Sequence, residues 1–406
     1  MSSLSKWTIM AYLDGNSELA PEMAAAKADM EAVTYGENIQ VLLEIGLLDE
    51  KALEILRPGK SQITSGEKWS GVRRYHFSRT GCHFAEDLGR ANMADPACLY
   101  EFILWGMESC QAEHYALILG GHSCEYIGMM NDYSQNKPYI MGIPEISLVF
   151  NFIYKNTGRQ IDLLIFDTCL FNNIELLYEL GCDGPPAVKT VLTYRKNAPA
   201  EGLPYRKLLS AAAENCCEHQ LDRFIEQLVQ SASADLIAYR IDHLTLERIK
   251  SAYSTLARRF LDDRAGAGPN ERTDLAFLLE DTGKNPRQAA LKELAEYESS
   301  LIVPTKSRDN ANRAKLLALD KYIPFLDTAA MYYRLAFARN NDWSDLICSR
   351  LPERVFRFVI SIGFTPMRLP EEKIKALIAS SSPALSSASA EDIYKKLAAL
   401  KNWSPG

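Results

Sequence analysis

Apolar residues follow two patterns along the chain. Trp7–Leu13 (Trp-Thr-Ile-Met-Ala-Tyr-Leu) is a short, almost unbroken apolar run ended by Asp14-Gly15-Asn16, as expected of a strand buried on both faces and closed by a turn. Asn38–Ile45, Tyr115–Leu119 and Ile161–Phe166 repeat this pattern, and Val72–Phe77 and Lys189–Thr193 are weaker versions of it. Between these runs the apolar residues recur at helical spacing: over Ser17–Thr34, from Pro96 to Ser109 behind Asp95, over Ile143–Asn156 and over Asn172–Leu180. Strands alternating with helices predict an α/β fold, a mostly parallel sheet sandwiched between helices. In such sheets chemistry collects beyond the carboxyl ends of the strands.

From about Leu208 the pattern turns mainly α-helical. Leu221–Ala238, Thr245–Leu261, Pro286–Ser299, Ala311–Tyr322, Ala329–Ala338 and Glu371–Ile378 read as helices. Arg264–Arg272 reads as a loop, and the Ser/Ala-rich Ser380–Ser389 as a linker. The change divides the chain into an α/β part, 1–210, and a mainly helical region, 211–406.

Composition narrows the function classes. A chain of 406 residues with 47% hydrophobic and 24% charged residues is an ordinary globular protein able to bury a large core. The net charge of -7 argues against a nucleic-acid binder held by a basic surface. Residues 1–210 hold 18 Lys+Arg against 26 Asp+Glu, a bias toward cationic ligands. Nine cysteines without a Cys-x-x-Cys pair fit neither a disulfide framework nor a zinc site. The first residues lack a basic segment followed by an apolar one, and no apolar run reaches the roughly 18 residues of a membrane span. These features predict a soluble, cytoplasmic protein with no membrane or nucleic-acid partner. His76, His83, His114, His219 and His243 have no metal-ligand spacing, and no phosphate-cradling glycine motif is present.

Two potentially reactive side chains stand just past strong strands: His122 after Leu119-Gly120-Gly121, and Cys169 after Phe166-Asp167-Thr168. A cysteine nucleophile needs a base, a proton donor for the leaving group, and N–H donors for the oxyanion. His122 supplies the first two if the strands are adjacent, and the backbone N–H groups of Ser123 and Cys169 are candidates for the third. The alternative for Cys169 is a small buried hydrophobe.

Six motifs in order surround the pair. They are Trp7-Thr8 with Asp14-Gly15-Asn16, Asn92-Met93-Ala94-Asp95-Pro96, Leu117-Ile118-Leu119 before His122, Ile143-Pro144-Glu145-Ile146, Ile161 to Leu170 around Cys169, and Gly202-Leu203-Pro204-Tyr205. In these motifs the chain resembles the clostripain family of cysteine peptidases, in the caspase-like clan. The resemblance implies a caspase-like fold, a peptide or protein substrate and no cofactor, with Cys169 as nucleophile and His122 as general acid/base. It also implies that Asp167 lies at the base of the pocket for the residue before the scissile bond, selecting Arg or Lys. Glu201, aligned with an acid often seen before the family's glycine, would assist. A strand-end carboxylate capping the next helix is the other reading of Asp167. Some members depend on calcium, and here only Asn131-Asp132 offers loop oxygens, where an ordinary turn is the simpler reading.

The chain departs from the family pattern in three places. Ser123 follows the histidine where relatives have glycine. Arg195-Lys196 stands where relatives have an acidic stretch, so two cations face a pocket meant for a cation unless they turn to solvent. The only basic residue in the loop Ser123–Ile143 is Lys137, whose bond to Pro138 is a poor scissile bond, so activity is expected without a cut there. Two further readings follow: a catalytically weakened pseudoenzyme acting as a binding module, and a peptidase whose helical C-terminal half contacts a regulatory partner.

Overall fold

A computed structural model describes residues 4–60, 68–136, 138–195, 197–218, 220–264, 286–305, 332–344 and 363–364. Lys137, Lys196, His219 and the segments 265–285, 311–322, 371–378 and 380–389 lie outside the described residues.

The strands are β1 (Ser5–Gly15), β2 (Ile39–Leu47), β3 (Gly71–Ser78), β4 (Gly81–Gly89), β5 (Ala112–Gly120), β6 (Ser123–Cys124), β7 (Gly128–Asp132), β8 (Tyr139–Gly142), β9 (Ile161–Asp167), β10 (Val188–Tyr194), β11 (Leu236–Arg240) and β12 (Gly363–Phe364). The helices are α1 (Ala20–Glu31), α2 (Glu50–Leu56), α3 (Pro96–Ser109), α4 (Ile143–Thr157), α5 (Ile174–Gly181), α6 (Tyr205–Glu214), α7 (Leu221–Ala232), α8 (His243–Arg264) and α9 (Pro286–Leu301). Eight strands form the main sheet in the order β11-β10-β9-β5-β1-β2-β3-β4. Its five inner strands, β10 to β2, run parallel, and the outer pairings are antiparallel.

The inner strands are buried on both faces, which is why they read as apolar runs. Trp7, Ile9, Ala11 and Leu13 face a core built with α1, α6 and α7. Met10, Tyr12, Leu117 and Leu119 face the other core, built with α3, α4, α5 and α8. Trp7 stacks on Phe224 of α7 at 4.3 Å between ring centres. Asp95 caps α3 by accepting from the Ala97 N–H at 3.0 Å, with Pro96 in the first turn.

The structure differs from the sequence reading at the edges. The helix expected over Leu221–Ala238 stops at Ala232, where Ser233 turns left-handed at φ 54°, and the chain returns as β11 against β10. The main sheet therefore extends past residue 210, which itself falls inside α6. β4 is exposed along nearly its whole length and carries no apolar run, and the small sheet β12-β8-β7-β6 is built of strands only two to five residues long. Residues 332–344, with 332–338 expected as the end of a helix over Ala329–Ala338, are mostly turns laid on the sheet's helical face. There Tyr332 donates to Glu175 Oε1 at 3.0 Å, Arg334 pairs with Glu145, and Lys250 Nζ donates to the Ala336 carbonyl at 2.7 Å.

Candidate active site

Sheet register sets His122 and Cys169 at matching positions. Leu13, Gly120 and Asp167 form one row across β1, β5 and β9. His122 and Cys169 each lie two residues beyond their row partner, past the ends of adjacent parallel strands spaced about 4.8 Å apart. Gly121 makes the turn at φ 151°, where a Cβ would approach Asp14 Cβ to 3.3 Å, and its N–H donates to the Asp167 carbonyl at 3.3 Å. The Ser123 hydroxyl donates to the Cys169 carbonyl and ties the histidine turn to the cysteine turn.

The turn at Cys169 is strained and pinned. Leu170 is left-handed at φ 59° and 42% exposed, a conformation that costs a non-glycine residue about 1–2 kcal/mol. Asn173 holds it, donating from Nδ2 to the Leu170 carbonyl at 3.1 Å while its Oδ1 caps α5 by accepting from the Leu176 N–H at 2.8 Å. Cys169 is half-buried, with its thiol directed at the Ala198 carbonyl 3.9 Å away. Cys124 also lies near the histidine, but burial pushes its thiol pKa up, which suits a structural residue and not a nucleophile.

The imidazole has an acidic neighbour that sequence reasoning missed. Glu18 Oε1, from the turn between β1 and α1, lies 3.1 Å from His122 Nε2. The approach is off the line of a straight N–H···O bond, and Nε2 is closed off from solvent. The imidazole of His122 is the largest influence holding the Glu18 carboxyl below its ordinary range.

Asp167 is 4% exposed and satisfied from inside. It accepts from Tyr194 Oη at 3.0 Å, the Leu203 N–H at 2.9 Å and Tyr205 Oη at 2.7 Å. Burial nevertheless raises its pKa to about 6, the three donors only partly offsetting that cost. The cap of the following helix is Asn173, so the capping alternative for Asp167 does not hold. Asp167 is not an open pocket floor either: Gly202, at φ 72°, passes directly over it, and a Cβ there would stand 2.9 Å from Oδ2. Glu201 beside it is exposed. Arg195 turns away to Asp235, Nε to Oδ1 3.0 Å, so the opposing cation is paired.

Of the oxygens considered for calcium, those of Asp132 are already used, while Asn131 Oδ1 is buried without a hydrogen-bond partner among the described residues. Asp132 is fully buried and accepts from Asn16 Nδ2 at 2.8 Å, the Met93 N–H at 2.7 Å, and the Ser134 N–H and Oγ at 2.7 and 2.6 Å. It is a structural hub for the β1 and β7 loops. Among the described residues no group of three or more His, Cys, Asp or Glu is arranged to hold a metal, and no helix is long and apolar enough to cross a membrane.

Comparison with known proteins completes the assignment. The model of the clostripain family, peptidase C11, matches residues 84–316, more than half of the chain, with His122 and Cys169 inside. Among solved structures the chain resembles a secreted C11 cysteine protease from Bacteroides thetaiotaomicron in complex with an irreversible peptide inhibitor. The two are 11% identical with a TM-score of 0.50, over 74% of this chain and 84% of that one. An inactive zymogen C11 protease from Parabacteroides distasonis is similar at 12% identity and a TM-score of 0.50, over 75% of this chain and 84% of that one. At these identities the likeness is one of fold. No curated protein matches the chain. The expectation of a cytoplasmic location is corrected: the similar Bacteroides protease is described as secreted, and nothing supports the cytoplasm. With its caspase-like sheet and the family match across both reactive residues, this chain belongs to the clostripain family and is a cysteine peptidase.

Proposed function

We propose that the protein is an endopeptidase working through a Cys169–His122 dyad and cutting after Arg or Lys. The observation that carries the reading is the shared row: both residues stand two positions past paired residues of adjacent parallel strands, and Ser123 bridges their turns. The thiolate of Cys169 attacks the scissile carbonyl carbon, and its oxygen takes the negative charge beside the Ser123 and Cys169 N–H groups. The C–N bond then breaks, and His122 protonates the departing amine. Water, deprotonated by His122, adds to the thioester and releases the acid and the thiol.

Selectivity for a cation rests on charge. Asp167 lies beneath Gly202, and Glu201 stands at the surface beside it, while Asp235 neutralises Arg195. A guanidinium over Gly202 would feel both carboxylates without displacing either tyrosine.

Fluorogenic peptides with Arg, Lys or an uncharged isostere before the cut test the reading. Wild type is expected to prefer the basic peptides, and Cys169→Ala and His122→Ala to lose turnover at unchanged thermal stability. Turnover that survives Cys169→Ala would refute the dyad, and a folded wild type with no turnover would favour the binding-module alternative.

A further inference from the structure

The turn after β1 brings a third ionisable group to the dyad. β1 neighbours β5 in the sheet, with Leu13 opposite Gly120, so the turns that follow these strands lie side by side. Both turns are fastened to one element: the Met130 N–H donates to the His122 carbonyl at 2.9 Å, and the Tyr133 N–H donates to the Asn16 carbonyl at 2.8 Å. Asn16 Nδ2 also holds Asp132 at 2.8 Å. Glu18 is fixed from its other side, its carbonyl accepting from Arg57 Nη1 at 3.1 Å while the same nitrogen grips Glu22 at 2.8 and 2.9 Å. The carboxylate is thus presented to His122 by a braced turn, 3.1 Å from a ring nitrogen that has no other partner among the described residues.

We infer that Glu18 is a positioning residue for His122, accepting the Nε2 proton and so leaving Nδ1 to serve the Cys169 thiol and the departing amine. An imidazole acts as base at one nitrogen only if the other carries the proton, and an acceptor at Nε2 selects that tautomer. When the ring becomes imidazolium, the carboxylate faces a full charge, so the contact strengthens as the reaction proceeds. The off-line approach in the free protein fits this role, because catalytic hydrogen bonds often tighten only with substrate in place. The inference rests on the dyad reading above.

The experiment compares Glu18→Ala and Glu18→Gln with the parent. In Glu18→Ala, kcat is expected to fall about 10- to 100-fold with KM within about twofold. Glu18→Gln keeps a neutral acceptor at Nε2 and is expected to fall in between. In the Cys169→Ala background, 15N-histidine spectra with His122 assigned by a His122→Asn control should show the proton on Nε2 for the parent and Glu18→Gln, and mixed tautomers for Glu18→Ala. A kcat within threefold of the parent, a loss confined to KM for basic peptides, or an unchanged ring signature in Glu18→Ala would overturn the inference. If the parent itself shows no Cys169-dependent turnover, the dyad reading fails, while the spectra still decide whether Glu18 sets the tautomer.

Discussion

Replacing Asp167 by Asn removes a titration that opposes folding in its ionised form. The carboxyl is fully enclosed, and burial raises its pKa from an ordinary 3.8 to about 6 in the folded protein. The folded state therefore binds a proton more readily than the unfolded chain. The stability this contributes is complete below about pH 4 and is lost as pH rises through about 6. A shift of about two units corresponds to about 3 kcal/mol between those limits. Other groups titrate over the same range, so the quantity to measure is a difference. Urea unfolding at pH 4, 5, 6 and 7 should be run on Cys169→Ala and on the same protein carrying Asp167→Asn. Asn adds a constant cost, because Tyr194 and Tyr205 donate to different oxygens of Asp167 and an amide replaces one of them with a donor. On top of that offset, the advantage of Asp over Asn should shrink by about 2 kcal/mol from pH 4 to pH 7. A pH-independent difference, or one that grows toward neutrality, would refute the argument and place a well-solvated carboxylate at this position.

Two further substitutions probe the frame of the site. Gly121→Ala puts a Cβ 3.3 Å from Asp14 Cβ on a backbone at φ 151°, and should cost about 1–3 kcal/mol in urea unfolding and lower kcat by displacing the His122 turn. Tyr332→Phe removes the hydroxyl that reaches Glu175 Oε1, and should cost about 1–2 kcal/mol and speed proteolytic cleavage within 332–344.

The parallel centre of the fold is legible in the sequence because burial on both faces writes itself as apolar runs, as in Trp7–Leu13 within β1 and Ile161–Phe166 within β9. β4 escapes because it is an edge strand, exposed along nearly its whole length, so no face of it needs to be apolar. β11 was absorbed into a helix because the apolar spacing of α7 continues past Ser233, and a left-handed turn in serine has no pattern of its own. The reactive pair could be placed at strand ends, but the partners of Asp167 could not: Tyr194, Leu203 and Tyr205 reach it from β10 and the chain beyond, through tertiary packing alone. Glu18 was invisible for the same reason, since nothing local connects the turn after β1 with the turn after β5.

Asp167 is not the only enclosed acid beneath the reactive edge. Asp14 and Asp132 also lie there, both with pKa values raised by burial, and in Asp14 the charge on Asp132 adds to the effect. By the sign worked out for Asp167, each contributes stability below its ordinary pKa that is lost as pH rises through its folded value. Ionised Asp167 makes the ground beneath Gly202 negative, which is what the proposed cationic substrate side chain requires. Acidification from neutrality toward pH 4 should then firm the fold at this edge while weakening capture of basic peptides. Stability and kcat/KM for an Arg peptide should move in opposite directions over that window, whereas an uncharged peptide should follow only the chemistry of the dyad. Parallel behaviour of the two peptides would mean that the buried acids serve the fold alone, and that selectivity for a basic residue has to be sought in exposed groups such as Glu201.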